Sequence, residues 1–224
     1  MILYPQAQGH YYGVVGLGKS GRATVASLLA SGAQVFAWDD KAATRDATKK
    51  QYPAVQIAPI DAWNFKHLAG LVMSPGIMLT HPAVAMAHAH HVEVLGDVEL
   101  LYMAHPDARY IGITGTNGKS TTTTLIGHIL TECGERVAVG GNLGTPALAL
   151  EPLGDDGIYV LELSSYQLDL VHTTKFDIAV LLNISPDHLD HHGSMKHYID
   201  AKCRLFDRQT KSDVAIVGLD DKHS

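Results

Sequence analysis

The chain has 224 residues and a formal net charge of −6, with a sequence pI near 6.1. It is long enough for one large or two small domains with a substantial core, and it lacks the basic excess of a nucleic-acid surface. Neither the first ten residues nor any later run suits an export signal or a membrane span. Its two cysteines, Cys133 and Cys203, both in helical patterns, point to reduced thiols in a cytoplasmic setting.

Apolar runs alternate with helical patterns throughout, which predicts an α/β fold of parallel sheets and crossover helices. Tyr11 to Val15 reads as a buried strand, Lys19 to Ala30 as a helix stopped at Ser31-Gly32, and Gln34 to Trp38 as a strand closed by Asp39-Asp40. Leu71 to Met73 reads as a short strand ended by Ser74-Pro75-Gly76. A helix starts near His81-Pro82, Val92 to Leu95 is a strand, and a helix follows from Asp97 to Met103. His81, His88, His90 and His91 fall in this alanine-rich helical stretch and read as a solvated face.

A break around Ala104-His105-Pro106-Asp107 divides the chain into expected domains 1–106 and 107–224. In the second, Lys119 to Cys133 reads as a helix, Arg136 to Val139 as a strand and Gly140-Gly141-Asn142-Leu143-Gly144 as a flexible loop. Strands follow over Ile158 to Leu163 and Ile178 to Leu182, then a helix from Ser194 to Gln209 and a strand from Val214 to Val217. The sequence stops at Ser224 after an Asp220-Asp221 turn, where a parallel sheet would return through a helix. The second domain is therefore expected to be incomplete.

Two glycine-rich loops carry chemistry. Gly16-Leu17-Gly18-Lys19-Ser20-Gly21 fits G-x-G-x-x-G between a strand and a helix, with Asp39 about 18 residues past the last glycine, the place of a ribose-binding acid. Three readings fit: an NAD site, a site for the diphosphate of another nucleotide, or glycines that only permit close strand-helix packing. The second loop, Gly115-Thr116-Asn117-Gly118-Lys119-Ser120-Thr121, follows the apolar run Ile111 to Ile113 and opens a helix. Its backbone N–H groups and helix N-terminus suit phosphate oxygens. Lys119 suits the β/γ-phosphates, and Ser120 or Thr121 suits Mg²⁺. It is a variant of the triphosphate loop, because Ile113 stands where the generic pattern has its first glycine.

Three further features lie downstream. Glu162 ends an apolar strand on the sheet edge that bears the phosphate loop, a place suited to a Mg²⁺ ligand. Asp187 to His192 gathers three histidines and two aspartates in six residues, without the separated partner motif of a zinc site. Lys202 lies on the following helix and, taken alone, reads as a solvated side chain.

Taken together, Gly115 to Thr121, Gly141-Asn142-Leu143-Gly144, Leu161 to Leu168, Asn183 to Asp190 and Ala201-Lys202 resemble, in order, the Mur ligases of peptidoglycan synthesis. Gly16 to Gly21, Ser74-Pro75-Gly76-Ile77 and Gly96-Asp97-Val98-Glu99-Leu100 look most like the branch that adds D-glutamate to UDP-N-acetylmuramoyl-L-alanine. The resemblance implies a Rossmann-like UDP-sugar domain over 1–106, an incomplete ATP-binding central domain over 107–224, and a further C-terminal domain absent from this chain. It also implies ATP-driven amide synthesis through an acyl phosphate, with ATP and two Mg²⁺ ions as cofactors.

On this resemblance Gly115 to Thr121 hold the phosphates, and Lys119, Glu162, His188 and Lys202 are the catalytic set. Ser120, Thr121 and Glu162 hold one Mg²⁺, His188 helps hold a second, and Lys202 carries a carbamate. Gly18, Lys19, Ser20, Asp39, Asp40, Ser74, Pro75, Gly76 and Asn142 fall where the UDP substrate is held, in a site expected to be separate from the phosphate loop. Asp40 and Gly218 depart from the usual family residues. The D-glutamate site is expected on the absent domain, so this chain is expected not to ligate. Another Mur-type ligase and an NAD-dependent oxidoreductase are the alternatives.

Overall fold

The computed structural model describes residues 1–223; Ser224, the last residue of the sequence, lies outside the described residues. Among these there are two five-stranded sheets, with every strand pair parallel. No described helix is long and apolar enough to cross a membrane.

The first sheet contains β1 (Tyr11–Val15), β2 (Gln34–Trp38), β3 (Gln56–Ile57), β4 (Leu68–Met73) and β5 (Val94–Leu95), in the order β3-β2-β1-β4-β5. Its helices are α1 (Lys19–Ala30), α2 (Ala42–Gln51), α3 (Pro82–Ala89) and α4 (Asp97–Ala104). The chain runs outward from β1 to one edge, then returns to β4 on the other side of β1. Such a reversal opens a crevice at the carboxyl ends of the two strands, where ligands collect in open α/β sheets. Here those ends are Gly16-Leu17-Gly18 and Ser74-Pro75-Gly76.

The second sheet has β6 (Arg109–Thr114), β7 (Val137–Gly141), β8 (Ile158–Glu162), β9 (Ile178–Leu181) and β10 (Val214–Val217), in the order β10-β9-β6-β8-β7. It carries α5 (Lys119–Glu132), α6 (Ser165–Leu168), α7 (Leu189–His192) and α8 (Met195–Cys203). Central β6 pairs with β8 on one side, Ile113 opposite Glu162, and with β9 on the other, Thr114 opposite Leu181. The loop after β6 is thus flanked by the ends of both neighbours.

One buried apolar cluster runs through both halves, including Val14, Leu28, Val98, Leu101, Tyr110, Leu148 and Tyr159. A polar strut adds to it. The Glu99 carboxylate on α4 accepts from the backbone N–H groups of His172 at 3.1 Å, Thr173 at 2.7 Å and Thr174 at 3.2 Å, and from both threonine hydroxyls. Burial raises its pKa, but the hydrogen bonds from Thr173 and Thr174 outweigh that and hold it below the usual value.

Several local expectations need correction. Gly140 and Gly141 belong to β7, paired with Leu161 and Glu162. A Cβ on Gly141 would collide with the Glu162 carbonyl, and one on Gly140 with the Thr145 carbonyl. The glycines therefore serve close strand packing there, not loop flexibility. The long helix from Ser194 to Gln209 is interrupted: α8 ends at Cys203 and tightens into a 3₁₀ turn over Arg204–Phe206. Helix α2 has no counterpart in the sequence pattern, because Thr48 is its buried residue and the rest is mostly polar and exposed. Both cysteines are free and exposed.

Candidate active site

The crevice at β1 and β4 is a cavity of about 350 Å³. Gly18, Lys19, Ser20, Asp39, Ser74, Pro75, Gly76 and Asn142 all line it. Asp40 does not; it is exposed, and its backbone carbonyl accepts from Arg45. Asp39 is fixed by two backbone donors, Leu17 N–H at 2.7 Å to Oδ2 and Lys41 N–H at 2.9 Å to Oδ1. The aspartate therefore braces the glycine loop as well as facing the cleft. Ser74 Oγ donates to the Gly16 carbonyl at 2.7 Å and ties the two loops together.

The glycines divide the work. Gly16 has φ +84°, which favours glycine. Gly21 lies so near the Gly16 carbonyl that a Cβ there would collide with it. Gly18 has an ordinary φ of −66°, and a Cβ on it would meet nothing within 4 Å. The space over Gly18 is thus open to whatever fills the cleft.

The far wall of the cleft comes from the second half, including Gly141, Gly144, Pro146 and Gln167. The cleft therefore spans both halves of the chain, as Asn142 among its expected residues implies. The link to the phosphate loop is direct. Asn142 Nδ2 donates to Glu162 Oε1 at 2.6 Å, and Ser120 Oγ donates to Glu162 Oε2 at 2.6 Å. Glu162 is only 2% exposed.

The phosphate loop turns through Gly115 at φ +152° and Gly118 at φ +82°, so α5 begins with its first N–H groups free of intrahelical partners. Asn183, two residues past the end of β9, holds the loop from outside. Its Oδ1 accepts from Asn117 N–H at 2.9 Å and its Nδ2 donates to the Asn117 carbonyl at 3.1 Å. Lys119 Nζ donates to the carbonyls of Gly115 at 3.0 Å and Thr116 at 2.8 Å.

Lys202 departs from its solvated reading: it is 2% exposed. It lies one helical turn after Tyr198, its Nζ 4.6 Å from that ring centroid, and donates to the Gly115 carbonyl at 2.9 Å. Burial, then the Lys119 ammonium, push its pKa down to about 8. His188 is exposed, in the left-handed region at φ +49°, with Nε2 3.5 Å from Asp187 Oδ2. His192, four residues on, is instead buried.

Gln167, Pro146 and Asn183 line or brace the site without having been singled out individually. Gln167 carried the clearest signal, since Ser164-x-x-Gln167 is a capping box, and the structure forms both of its bonds. The side-chain Nε2 of Gln167 also reaches Asp97 Oδ1 at 3.5 Å. Asp97 is buried and its pKa is raised, chiefly by that burial.

Comparison with known proteins accounts for this arrangement. Residues 10–96 match the Mur ligase MurD-like N-terminal domain and residues 113–224 the Mur ligase middle domain. The chain is 50% identical over 228 residues to a UDP-N-acetylmuramoylalanine–D-glutamate ligase of Paramagnetospirillum magneticum, covering 99% of this chain and 49% of that protein. It is 48% identical over 236 residues to a ligase of the same name from Zymomonas mobilis, covering 99% and 53%. The chain spans about half the length of the curated relatives it matches. A solved UDP-N-acetylmuramate:L-alanyl-gamma-D-glutamyl-meso-diaminopimelate ligase from Neisseria meningitides shares the fold, with a TM-score of 0.64 at 14% identity over 96% of this chain and 72% of that one. Two parallel-sheet domains, a glycine cleft joined through Glu162 to a phosphate loop, and matches on both sides of that junction together establish that this chain belongs to the Mur ligase family.

Proposed function

We propose that the chain carries the substrate-activating part of an ATP-dependent ligase that joins D-glutamate to UDP-N-acetylmuramoyl-L-alanine in cell-wall synthesis. The observation that carries this reading is the shared carboxylate: Glu162 bonds Asn142 on the rim of the cleft and Ser120 beside the phosphate loop. Uridine diphosphate in the cleft would thus present its attached acyl group toward the end of a triphosphate held over α5. The named relatives act as D-glutamate ligases, which favours that amine over others.

In the reaction, a carboxylate oxygen of the muramoyl-alanine attacks the γ-phosphorus of ATP and ADP leaves. The amine of D-glutamate then attacks the acyl phosphate, and inorganic phosphate leaves as the amide forms. Such chemistry needs positioning and charge neutralisation more than covalent participation. Gly18, Lys19, Ser20, Asp39 and Ser74 to Gly76 hold the UDP end. The N–H groups of the phosphate loop and Lys119 hold the β/γ-phosphates, Lys119 giving up its loop carbonyls to do so.

The donors at Ser120 and Glu162 are hard oxygens, one anionic, and fit Mg²⁺. Thr121 follows Ser120 in the first turn of α5. Ser120 and Glu162 would hold Mg²⁺ there, and the ion would supply neutralisation of phosphate charge. His188, with Lys202 as a carbamate, would hold a second ion; an ammonium at that position repels cations, whereas a carbamate offers anionic oxygens.

The test is trapping. Incubation with ATP, Mg²⁺, UDP-N-acetylmuramoyl-L-alanine and hydroxylamine should give the hydroxamate of the UDP-sugar by mass spectrometry, and Lys119→Ala should not. Hydrolysis of ATP without hydroxamate would contradict the reading.

A further inference from the structure

A second cluster of ligand groups shares no residue with Glu162 and the phosphate loop. Asp169 follows α6, while His191 and His192 end α7, and one ligand atom from each of the three lies within 4.8 Å of the others. Together with His197 they line a cavity of about 250 Å³ that is also lined by Met78, Leu79 and Thr80. Those last three belong to the loop that continues from Ser74-Pro75-Gly76, so the cavity sits where the two halves of the chain meet.

The geometry around His192 is that of an oriented ligand. Its Nε2 lies 2.9 Å from Ser165 Oγ, and Nδ1 then points to Asp169 Oδ2 at 3.8 Å, beyond hydrogen-bond reach. With the ring proton on Nε2, His192 donates to Ser165 Oγ and presents the Nδ1 lone pair inward, the usual arrangement behind a metal-bound imidazole. Arg204 Nε lies 3.8 Å from the other oxygen of the same carboxylate, Oδ1, on the side away from the imidazole that Oδ2 approaches. Donors about 2 Å from one ion in a tetrahedron lie roughly 3.3 Å apart. Small side-chain adjustments therefore close the cluster on an ion.

We propose that Asp169, His191 and His192 form a binding site for a borderline transition-metal ion, Zn²⁺ being the best match, distinct from the oxygen-donor site at Ser120 and Glu162. Two imidazoles and one carboxylate select such ions over Mg²⁺, and three protein ligands leave a fourth position for water. The ion would pin the end of α7 to α6 and thereby fix the segment that starts at His188. The inference does not depend on the ligase reading.

The test is titration of the chain with Zn²⁺ by calorimetry, and with Co²⁺ by visible absorption, in the presence of excess Mg²⁺. One Zn²⁺ should bind per chain, and Co²⁺ should give the intense bands of a low-coordinate site. Asp169→Asn and His191→Gln should each abolish this, and Ser165→Ala should weaken it by about tenfold through loss of ring orientation. His188→Ala should leave it unchanged. Circular dichroism of each variant separates loss of the site from loss of the fold. Absence of Zn²⁺ binding in the wild-type chain, binding that persists in folded Asp169→Asn and His191→Gln chains, or binding lost with His188 alone would each overturn the proposal.

Discussion

Ser120 Oγ and Glu162 Oε2 lie 2.6 Å apart, although 42 residues of sequence separate them. The contact follows from register, since Glu162 pairs with Ile113 at the end of β6 and Ser120 sits in the first turn of the helix that β6 feeds. Two groups joined by one hydrogen bond do not act independently. Ser120→Ala and Glu162→Gln should each weaken Mg²⁺·ATP binding, with a coupling of about 0.5–3 kcal/mol in the double-mutant cycle. Calorimetry on the four proteins measures it, and additive losses would show that the pair does not work as a unit.

Two glycines in one motif should fail differently. Gly18→Val places its side chain in open space without a forbidden φ, so circular dichroism and the melting temperature should barely change. Affinity for UDP-N-acetylmuramoyl-L-alanine should fall by at least about tenfold, or 1.4 kcal/mol. Gly21→Ala instead drives a methyl into the Gly16 carbonyl and should cost about 1–3 kcal/mol of stability. Thermal denaturation and ligand titration of both variants separate the two roles.

Glu99 should make stability pH-dependent. Its native pKa lies below the ordinary value of 4.5, so the unfolded chain binds more protons between the two values. The contribution is complete above the unfolded pKa and is lost as pH falls through the native one. Glu99→Gln should cost about 1.5–3 kcal/mol near neutrality. The gap to wild type should narrow in acid, as urea titrations at stepped pH would show; a constant gap would mean that the charge of the carboxylate is not what Thr173 and Thr174 recognise.

Lys202 offers a neutral amine sooner than an ordinary lysine. With a pKa pushed down to about 8, its uncharged fraction grows as pH rises through that value, and only the uncharged amine adds CO₂. ¹³C-bicarbonate should give a carbamate resonance that strengthens over this window and is absent in Lys202→Arg. A signal that persists in the variant would assign the carbamate elsewhere.

Much of this was legible in the sequence, because strand-glycine-helix junctions declare themselves locally. Gly16 to Gly21 and Gly115 to Thr121 stand where those motifs put them, between β1 and α1 and between β6 and α5. What was hidden depends on tertiary approach. Gly140 and Gly141 look like a loop until Glu162 and Thr145 are seen pressing on them. Lys202 looks solvated until α8 turns the face it shares with Tyr198 toward Gly115. Asp169 and His192 are 23 positions apart in sequence (192 − 169), and no spacing rule brings them together. Helix α2 escaped for the opposite reason: a helix that buries almost nothing leaves no periodic apolar trace.

The cleft between Gly18, Ser74 and Asn142 must tell a uridine nucleotide from a dinucleotide. Calorimetric titration of the chain with UDP-N-acetylmuramoyl-L-alanine, UDP and NADH tests this most directly. The UDP-sugar should bind at one site, UDP should bind there more weakly and compete with it, and NADH should give no heat. Binding of NADH that is abolished by Gly18→Val, with no response to the UDP-sugar, would contradict the account and return the first glycine loop to a dinucleotide site.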